Sequence, residues 1–337
     1  MIPHNRPCVG PKESDAAIAV LNSGWLAQGK EVAAFEDEFC EFLDLPAGHG
    51  VALSSGSAAL YLALLAADVR GERVAAPAYS CRALLNAIQL AGGEPEWIDV
   101  GCNSPNVNGQ ELPATATRTA IVAHMFGIPA ELPNDSMTII EDCAQALGAE
   151  RGRHKVGTLG KIGVFSFAAT KLITTGGQGG MLVSRDPGVI DFVRKARDYD
   201  TVPDAHPRFN FQMTDLQAAV GRRQLARLPE FLSRRERTFG RYQEAGAELL
   251  DGIAADCRPI RFRAVMRTVE PLEWQKRFAA AGIRTIIPIT EDELLTAPKS
   301  VPHAAALCRE TLSLPIHPAL ADEDVDRIVR ELDRSVP

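Results

Sequence analysis

The sequence predicts an α/β protein in which helices sandwich a mostly parallel β-sheet, followed by a smaller α+β C-terminal domain. Short apolar runs alternate with amphipathic helical patterns through the first two-thirds of the chain, as parallel sheets covered on both faces require. The pattern then becomes helical, and the chain of 337 residues is long enough for two cores. We therefore expect residues 1–230 to form a large ligand-binding domain, with a helical connector and the small domain in residues 231–337.

The individual elements follow from periodicity and from the positions of turn residues. Apolar segments predict strands at residues 51–53, 73–76, 94–99, 119–124, 137–141, 163–167 and 180–184. Helical patterns predict helices at residues 57–67, 82–91, 187–197, 272–281 and 323–332, and a long connector helix at 214–247. Alternation of apolar and polar residues predicts a half-buried strand at 261–269. Residues 102–117 are rich in Pro, Asn and Thr and predict a connecting loop.

Composition argues against several classes of function. The net charge is −7, without a run of Lys and Arg, so a nucleic-acid partner is not expected. The N-terminus lacks the apolar run of a signal peptide, and no segment approaches the roughly 18 apolar residues of a membrane span. Seven scattered cysteines, without a Cys-x-x-Cys pair, predict reduced thiols and a cytoplasmic protein, with no disulfide framework and no metal site.

The first candidate site segment is residues 54–60, with the sequence Ser-Ser-Gly-Ser-Ala-Ala-Leu, at a predicted strand-to-helix junction. Small residues let a phosphate approach the backbone, and the free amides of a helix N-terminus favour its negative charge. The alternative is an ordinary serine N-cap without a ligand.

The second segment is residues 137–145, in which an apolar strand ends in Asp142. Open α/β sheets bind ligands at the carboxyl ends of their strands. A carboxylate held against a pyridine nitrogen keeps that nitrogen protonated, which makes the ring of a cofactor an electron sink. The alternative is that Asp142 is a turn or cap residue.

The third segment is residues 165–171, another apolar strand that ends in a polar turn and in Lys171. A lysine forms a Schiff base when its surroundings lower its pKa, whereas most lysines are solvated surface residues. The glycine-rich residues 174–180 favour close backbone packing and thus a buried lysine. They do not fit a dinucleotide loop, because no helix follows them.

The fourth segment, residues 209–219, is an aromatic loop that opens the predicted connector helix. Physical chemistry alone predicts only a helix capped by Thr214.

Taken together, these segments show that the chain resembles the DegT/StrS-type sugar aminotransferases, which are pyridoxal-phosphate (PLP) enzymes of fold type I. The similarity extends from about residue 24 to residue 225. It is carried by residues 24–29 with 35–36, 55–60, 141–149, 166–167 with 170–171, and 213 with 217–219.

The resemblance implies a role for each matching residue. Lys171 would form the Schiff base with PLP and shuttle a proton, while Asp142 would pair with the pyridine nitrogen and Gln145 would contact the ring hydroxyl. Asn210 would reach the phosphate from the neighbouring subunit, so the active unit would be a homodimer with shared sites. The remaining implied cofactor contacts, mainly to the phosphate, are Gly56, Ser57, Ala58 and Ser166.

The reaction implied is the transfer of an amino group from glutamate or glutamine to a keto-sugar, a nucleotide-linked keto-sugar or a cyclitol. Cys81 stands where the family usually has an aromatic residue that stacks on the cofactor ring, and Gln212 stands where it usually has Arg. Residues 177–178 and 285–290 also depart from the family pattern. Three alternatives therefore stay open: another PLP reaction such as a decarboxylase or synthase, a dehydratase (against which Lys171 counts), and a PLP-binding regulator without turnover.

Overall fold

The computed structural model describes residues 1–109, 112, 117–133, 137–200, 208–252 and 256–333. The strands in these ranges are β1 (Gly50–Leu53), β2 (Arg73–Pro77), β3 (Glu94–Ile98), β4 (Thr119–Ala123), β5 (Thr138–Asp142), β6 (Glu150–Arg151), β7 (His154–Lys155), β8 (Ile162–Ser166), β9 (Gly180–Val183), β10 (Cys257–Arg258), β11 (Ala264–Arg267) and β12 (Thr311–Leu314). The helices are α1 (Pro11–Ser23), α2 (Lys30–Phe42), α3 (Gly56–Ala66), α4 (Ala83–Leu90), α5 (Pro187–Arg197), α6 (Asp215–Glu244), α7 (Pro271–Ala280), α8 (Pro302–Glu310) and α9 (Asp322–Asp333).

A seven-stranded sheet in the order β1-β9-β8-β5-β4-β2-β3 forms the centre of the large part of the molecule. The strand β9 is antiparallel to both of its neighbours, and the other adjacent pairs are parallel. Every residue of β1, β4 and β9 is buried, as expected for a sheet covered on both faces. The predicted fold class, a mostly parallel sheet sandwiched by helices, is confirmed.

The predicted strands of this sheet lie within one or two residues of the observed ones, and the predicted helices match α3, α4 and α5 equally well. The prediction omitted α1 and α2, which pack against α6. It also omitted α8 and β12, because the chain passes from one to the other between Glu310 and Thr311 with no intervening turn residue to mark a boundary. Of the loop predicted at residues 102–117, residues 110, 111 and 113–116 lie outside the described residues.

The long helix α6 connects the sheet to the C-terminal part of the chain. Its N-terminus is a capping box, in which Thr214 accepts the Gln217 N–H and the Gln217 side chain accepts the Thr214 N–H. The helix continues past Pro229 and packs against α1, α2 and α9. Residue 230 therefore lies within α6, and the division of the chain into two domains there stays a prediction.

The C-terminal part contains the antiparallel pair β11 and β12. Its apolar cluster joins α6, α7 and α9 through buried side chains that include Phe239, Tyr242, Phe278, Leu312 and Ile328. The N-terminal segment belongs to the same region, since Ile2 bridges to Ile283. Among the described residues, no helix is both long and apolar enough to cross a membrane.

Candidate active site

Asp142 and Lys171 lie at the carboxyl edge of the central sheet. Asp142 is the last residue of β5, and the parallel neighbour β8 ends at Ser166. A tight turn follows Ser166, and the Lys171 N–H donates to the Ala168 carbonyl at 2.9 Å. The edge on which open α/β sheets bind ligands thus carries both of the predicted catalytic side chains.

The surroundings of Lys171 lower the pKa of its amine. Burial is the largest cause, and the nearby Arg263 charge acts in the same direction. Asp142 and Cys81 act in the opposite direction, which means that both lie close enough to interact with the Lys171 charge. The Lys171 Nζ atom also lies 5.6 Å from the centre of the Phe262 ring. A lysine in these surroundings is easier to deprotonate than a solvated one, as a Schiff-base lysine must be.

Cys81 follows β2 at the same edge of the sheet. Its residue surface is exposed, yet enough protein surrounds the thiol that burial is the main cause of its raised pKa. The Asp142 carboxylate raises the pKa further, while Lys171 lowers it. The structure therefore brings Cys81 together with Lys171 and Asp142.

A narrow cradle forms where the N-terminus of α3 meets the ends of β8 and β9. The Ser55 hydroxyl caps α3 by accepting the Ala58 N–H at 3.0 Å. A methyl group added at Gly56 would lie 2.7 Å from the Ser166 Cβ atom, and one at Gly180 would lie 2.4 Å from the Ser55 carbonyl oxygen. Glycine at both positions allows this close approach.

The cradle brings Gly56 and Ser166 into contact. Ser57 is exposed and lies on the first turn of α3, which is the positive end of the helix dipole. Ala58 is buried and its N–H is already bonded to Ser55. This leaves the Gly56 and Ser57 amides as the first-turn donors for an anion.

Gln145 and Tyr79 both contact Phe126. The Gln145 Oε1 atom accepts the Phe126 N–H at 3.0 Å, and Phe126 has a left-handed backbone with φ of 60°. The Phe126 ring packs edge-on against the buried Tyr79 ring, with their centres 6.1 Å apart. Left-handed backbone at a bulky residue is strained and often lies near functional sites.

His124 and Glu141 form a buried pair that was not singled out from the sequence. The pair supports the end of β5, where Asp142 directly follows Glu141. The His124 Nδ1 atom accepts the Ala130 N–H, so Nε2 carries the proton and donates to Glu141 at 2.9 Å. Glu141 also accepts the N–H groups of Gly157, Leu159 and Gly160. The sequence feature that could have indicated this pair is Glu141, an acidic residue directly before Asp142 at the end of an apolar strand.

The same pair lies close to Cys143, and their potential ligand atoms are all within 4.8 Å of one another. The His124 and Glu141 atoms are engaged in the hydrogen bonds just described, and burial raises the pKa of the Cys143 thiol well above its usual value. The cluster is suited to fixing the end of β5 rather than to holding a cation.

Asn210 lies on the exposed aromatic loop before α6, beside the end of β1. The Ser54 N–H donates to the Phe211 carbonyl at 2.8 Å, and the Asn210 Oδ1 atom accepts the Gln212 N–H at 2.9 Å. The loop thus runs past the residues that precede the cradle.

Comparison with known proteins identifies the family. The model of the DegT/DnrJ/EryC1/StrS aminotransferase family matches residues 7–271 and 273–333. The chain belongs to this family. The resemblance inferred from the sequence is therefore confirmed, and it extends beyond the segment in which the motifs were found.

Two curated relatives and one solved structure illustrate the range of the family. The erythromycin biosynthesis sensory transduction protein EryC1 of Saccharopolyspora erythraea is 31% identical, with 94% of this chain and 93% of the relative covered. The dTDP-4-dehydro-2,3,6-trideoxy-D-glucose 4-aminotransferase of Saccharopolyspora spinosa is 26% identical, with coverage of 100% and 97%. The crystal structure of S. venezuelae DesV in complex with ketimine intermediate superimposes with a TM-score of 0.87 at 26% identity, covering 96% and 95%.

Family membership makes this protein an aminotransferase, as the sequence predicted. Two of the departures from the DegT/DnrJ/EryC1/StrS family pattern lie beside the site, since Cys81 adjoins Lys171 and Gln212 bridges to Leu53. The sequence analysis missed Phe262 and Arg263, which approach Lys171 from the segment before β11. No local pattern marks them, since their proximity to Lys171 arises from the packing of the C-terminal part.

Proposed function

We propose that this aminotransferase uses PLP bonded to Lys171 and transfers an amino group from glutamate or glutamine to a keto-sugar. The observation that carries the proposal is the half-buried Lys171, whose amine has a lowered pKa and interacts electrostatically with Asp142 at the carboxyl edge of the sheet. A neutral lysine amine is the nucleophile that bonds to an aldehyde, and a carboxylate beside it suits a protonated ring nitrogen.

The residues present fit the cofactor. The cradle at Gly56, Ser57 and Ser166 offers backbone amides and a hydroxyl to a phosphate, in a space that side chains at Gly56 and Gly180 would fill. Gln145 lies three residues after Asp142, and it would contact the ring hydroxyl, as the resemblance to the family implies. When bound, PLP supplies an electron sink for the carbon that loses its proton.

The protein groups have separate tasks. Lys171 would take a proton from the substrate carbon and pass it to the cofactor carbon, which requires the neutral amine that burial favours. Asp142 holds the ring nitrogen, and its own Oδ1 atom is oriented by the Ala144 N–H at 3.0 Å. The hydrogen-bonded pair of His124 and Glu141 keeps the end of β5 in position.

The acceptor class rests on the relatives. The S. spinosa relative is named for a dTDP-linked 4-keto sugar, which supports a nucleotide-linked keto-sugar as the acceptor here. Free keto-sugars and cyclitols are further members of the same chemical class. The name of EryC1 favours a second candidate, a PLP-binding regulator without turnover.

We further propose that the active unit is a homodimer in which Asn210 contacts the phosphate of the partner's cofactor. Asn210 lies on an exposed loop beside Phe209, a large apolar side chain that is 73% exposed. Exposed apolar surface of this kind is suited to a subunit interface.

The decisive experiment follows the cofactor spectrum while L-glutamate or L-glutamine is added to the PLP-loaded protein. An aminotransferase bleaches the visible band and releases the 2-oxo acid, whereas a regulator leaves the spectrum unchanged. The variant Lys171→Ala should retain PLP through the phosphate cradle but lose the visible band and turnover.

The matched control is Lys161→Ala, which removes an exposed lysine paired with Asp186 at 3.4 Å. This variant should behave as the parent protein does. A Lys171→Ala variant that still carries a borohydride-reducible link to PLP at the parent level would contradict the assignment of Lys171.

A further inference from the structure

Arg263 has two buried nitrogen atoms without a hydrogen-bond partner among the described residues, whereas its neighbour Arg235, whose Nε atom also lacks one, is bonded through Nη1. Its Nε and Nη1 atoms are buried, and neither has a hydrogen-bond partner among the described residues. Arg261 pairs with Asp251 and Glu236, and Arg235 donates to the carbonyls of Arg261, Phe262 and Ile316.

The position of Arg263 is defined by the groups with which its charge interacts. The guanidinium lies 5.7 Å from the centre of the Phe262 ring, and the Lys171 Nζ atom lies 5.6 Å from the same centre. Burial is the main cause that lowers the pKa of His4 to about 3, and the Arg263 charge acts in the same direction. Arg263 therefore lies near Lys171 and His4, and no carboxylate among the described residues is paired with it.

Burying a guanidinium without a counter-charge is costly, because the lost hydration is not replaced. Burial accordingly lowers the pKa of Arg263. Such an arrangement is favourable when a ligand supplies the missing anion, and a planar guanidinium is the best match for a carboxylate.

We propose that Arg263 binds the carboxylate of the amino donor, the one bonded to the carbon that carries the amino group. This inference rests on the proposed function. The donor's amino group must reach the cofactor carbon to which Lys171 is bonded, so the donor's reacting carbon lies beside Lys171. The donor's carboxylate is one bond from that carbon and therefore lies within the region that Arg263 shares with Lys171, where two Arg263 nitrogen atoms lack a partner among the described residues.

A phosphate of a nucleotide-linked acceptor is the other source of an anion. In such an acceptor the phosphate is attached at the anomeric carbon, and a C4 keto group is several bonds away from it. The donor carboxylate fits the proximity of Arg263 to Lys171 better, and the experiment separates the two.

The test uses the PLP-loaded protein with Arg263→Gln, Arg263→Lys and the control Arg261→Gln. Arg263→Gln should raise the concentration of donor that gives half-maximal bleaching by roughly 10- to 150-fold, the effect of a lost charge-assisted hydrogen bond. The increase should be equal for L-glutamate and L-alanine, because the α-carboxylate is the only carboxylate that both have. The donor concentration for half-maximal bleaching in Arg263→Lys should lie between those of the parent and of Arg263→Gln. The value for Arg261→Gln should match that of the parent.

A second readout does not depend on turnover. Arg263→Gln should unfold at a temperature equal to or above that of the parent, because it removes an unpaired buried charge. Succinate, which has carboxylates but no amino or keto group, should raise the unfolding temperature of the parent and not that of Arg263→Gln.

Unchanged donor saturation in Arg263→Gln, an effect on L-glutamate alone, or an effect confined to the KM of the acceptor would each overturn the assignment. A parent protein that no amino acid bleaches would instead overturn the proposed function, and the succinate measurement would still decide whether Arg263 binds a carboxylate.

Discussion

At the carboxyl edge of the sheet, burial favours the neutral forms of both the Lys171 amine and the Cys81 thiol. It lowers the pKa of the lysine and raises that of the cysteine. The neutral amine is the nucleophilic form of lysine, whereas the reactive form of cysteine is the thiolate. Burial therefore favours the reactive form of Lys171 and disfavours the reactive form of Cys81.

Alkylation by iodoacetamide tests the position of Cys81. Its reaction should be slow at pH 7 and should still be rising above pH 9, because a raised pKa postpones formation of the thiolate. Bound PLP should slow the reaction about tenfold or more if the thiol lies against the cofactor ring. Mass spectrometry of the modified peptide gives both rates.

The exposed Cys102 is the internal control, since it lies outside the residues that surround Lys171. Its alkylation should not respond to PLP. Equal rates at Cys81 with and without PLP would remove Cys81 from the cofactor site and would contradict the alignment of this strand with the family.

The junction of β9 with α3 decides, at the level of elements, whether the phosphate cradle can form. Gly180 begins β9, and its backbone passes the Ser55 carbonyl and the Gly56 amide at a distance that leaves no room for a side chain. The antiparallel strand β9 is inserted between β1 and β8, so it holds the helix N-terminus against Ser166.

Replacing Gly180 by Ala should therefore weaken both folding and PLP binding. The added Cβ atom would lie 2.4 Å from the Ser55 oxygen and 2.7 Å from the Gly56 nitrogen, and overpacking of this kind typically costs about 1–3 kcal/mol. Denaturant unfolding and PLP titration measure the two effects.

Gly240→Ala is the matched control, because a Cβ atom there has no neighbour within 4 Å and the residue lies inside α6. It should stabilise the protein by about 0.5–1 kcal/mol through helix propensity. A Gly180→Ala variant with unchanged PLP affinity would mean that the cradle does not bind the phosphate.

At the scale of the whole molecule, we propose that a single chain forms an incomplete site and that a homodimer completes it. Residues 18–26 expose the large apolar side chains of Ile18, Leu21, Trp25 and Leu26. The Asn210 loop carries the exposed Phe209 as well. Burying such surfaces against a second copy would offset their contact with water.

Asn210→Ala should weaken PLP binding by about 1.5–3 kcal/mol, the contribution of a hydrogen bond to a charged group, and should leave the dimer intact. Equilibrium PLP titration and sedimentation measure the two properties. The control Asn86→Ala changes an exposed residue of α4 and should alter neither. A fully active monomer would contradict the shared site.

Local chemistry in the sequence determined the class of the fold, most of the strands and the residues at the ends of β5 and β8. Burial periodicity is a local property, and so is the pairing of an apolar strand with a polar residue at its end. For the same reason Asp142 and Lys171 could be chosen as candidate site residues before any contact was known, and the resemblance to the family added Ser166.

Only the tertiary structure decided the order of the strands, the pairing of His124 with Glu141, and the approach of Phe262 and Arg263 to Lys171. Each of these joins segments that are distant in the sequence, and the energy of such a contact depends on packing and desolvation rather than on a local pattern. Arg263 is an ordinary arginine in the sequence. It becomes a candidate ligand for a carboxylate because the fold buries it without a partner.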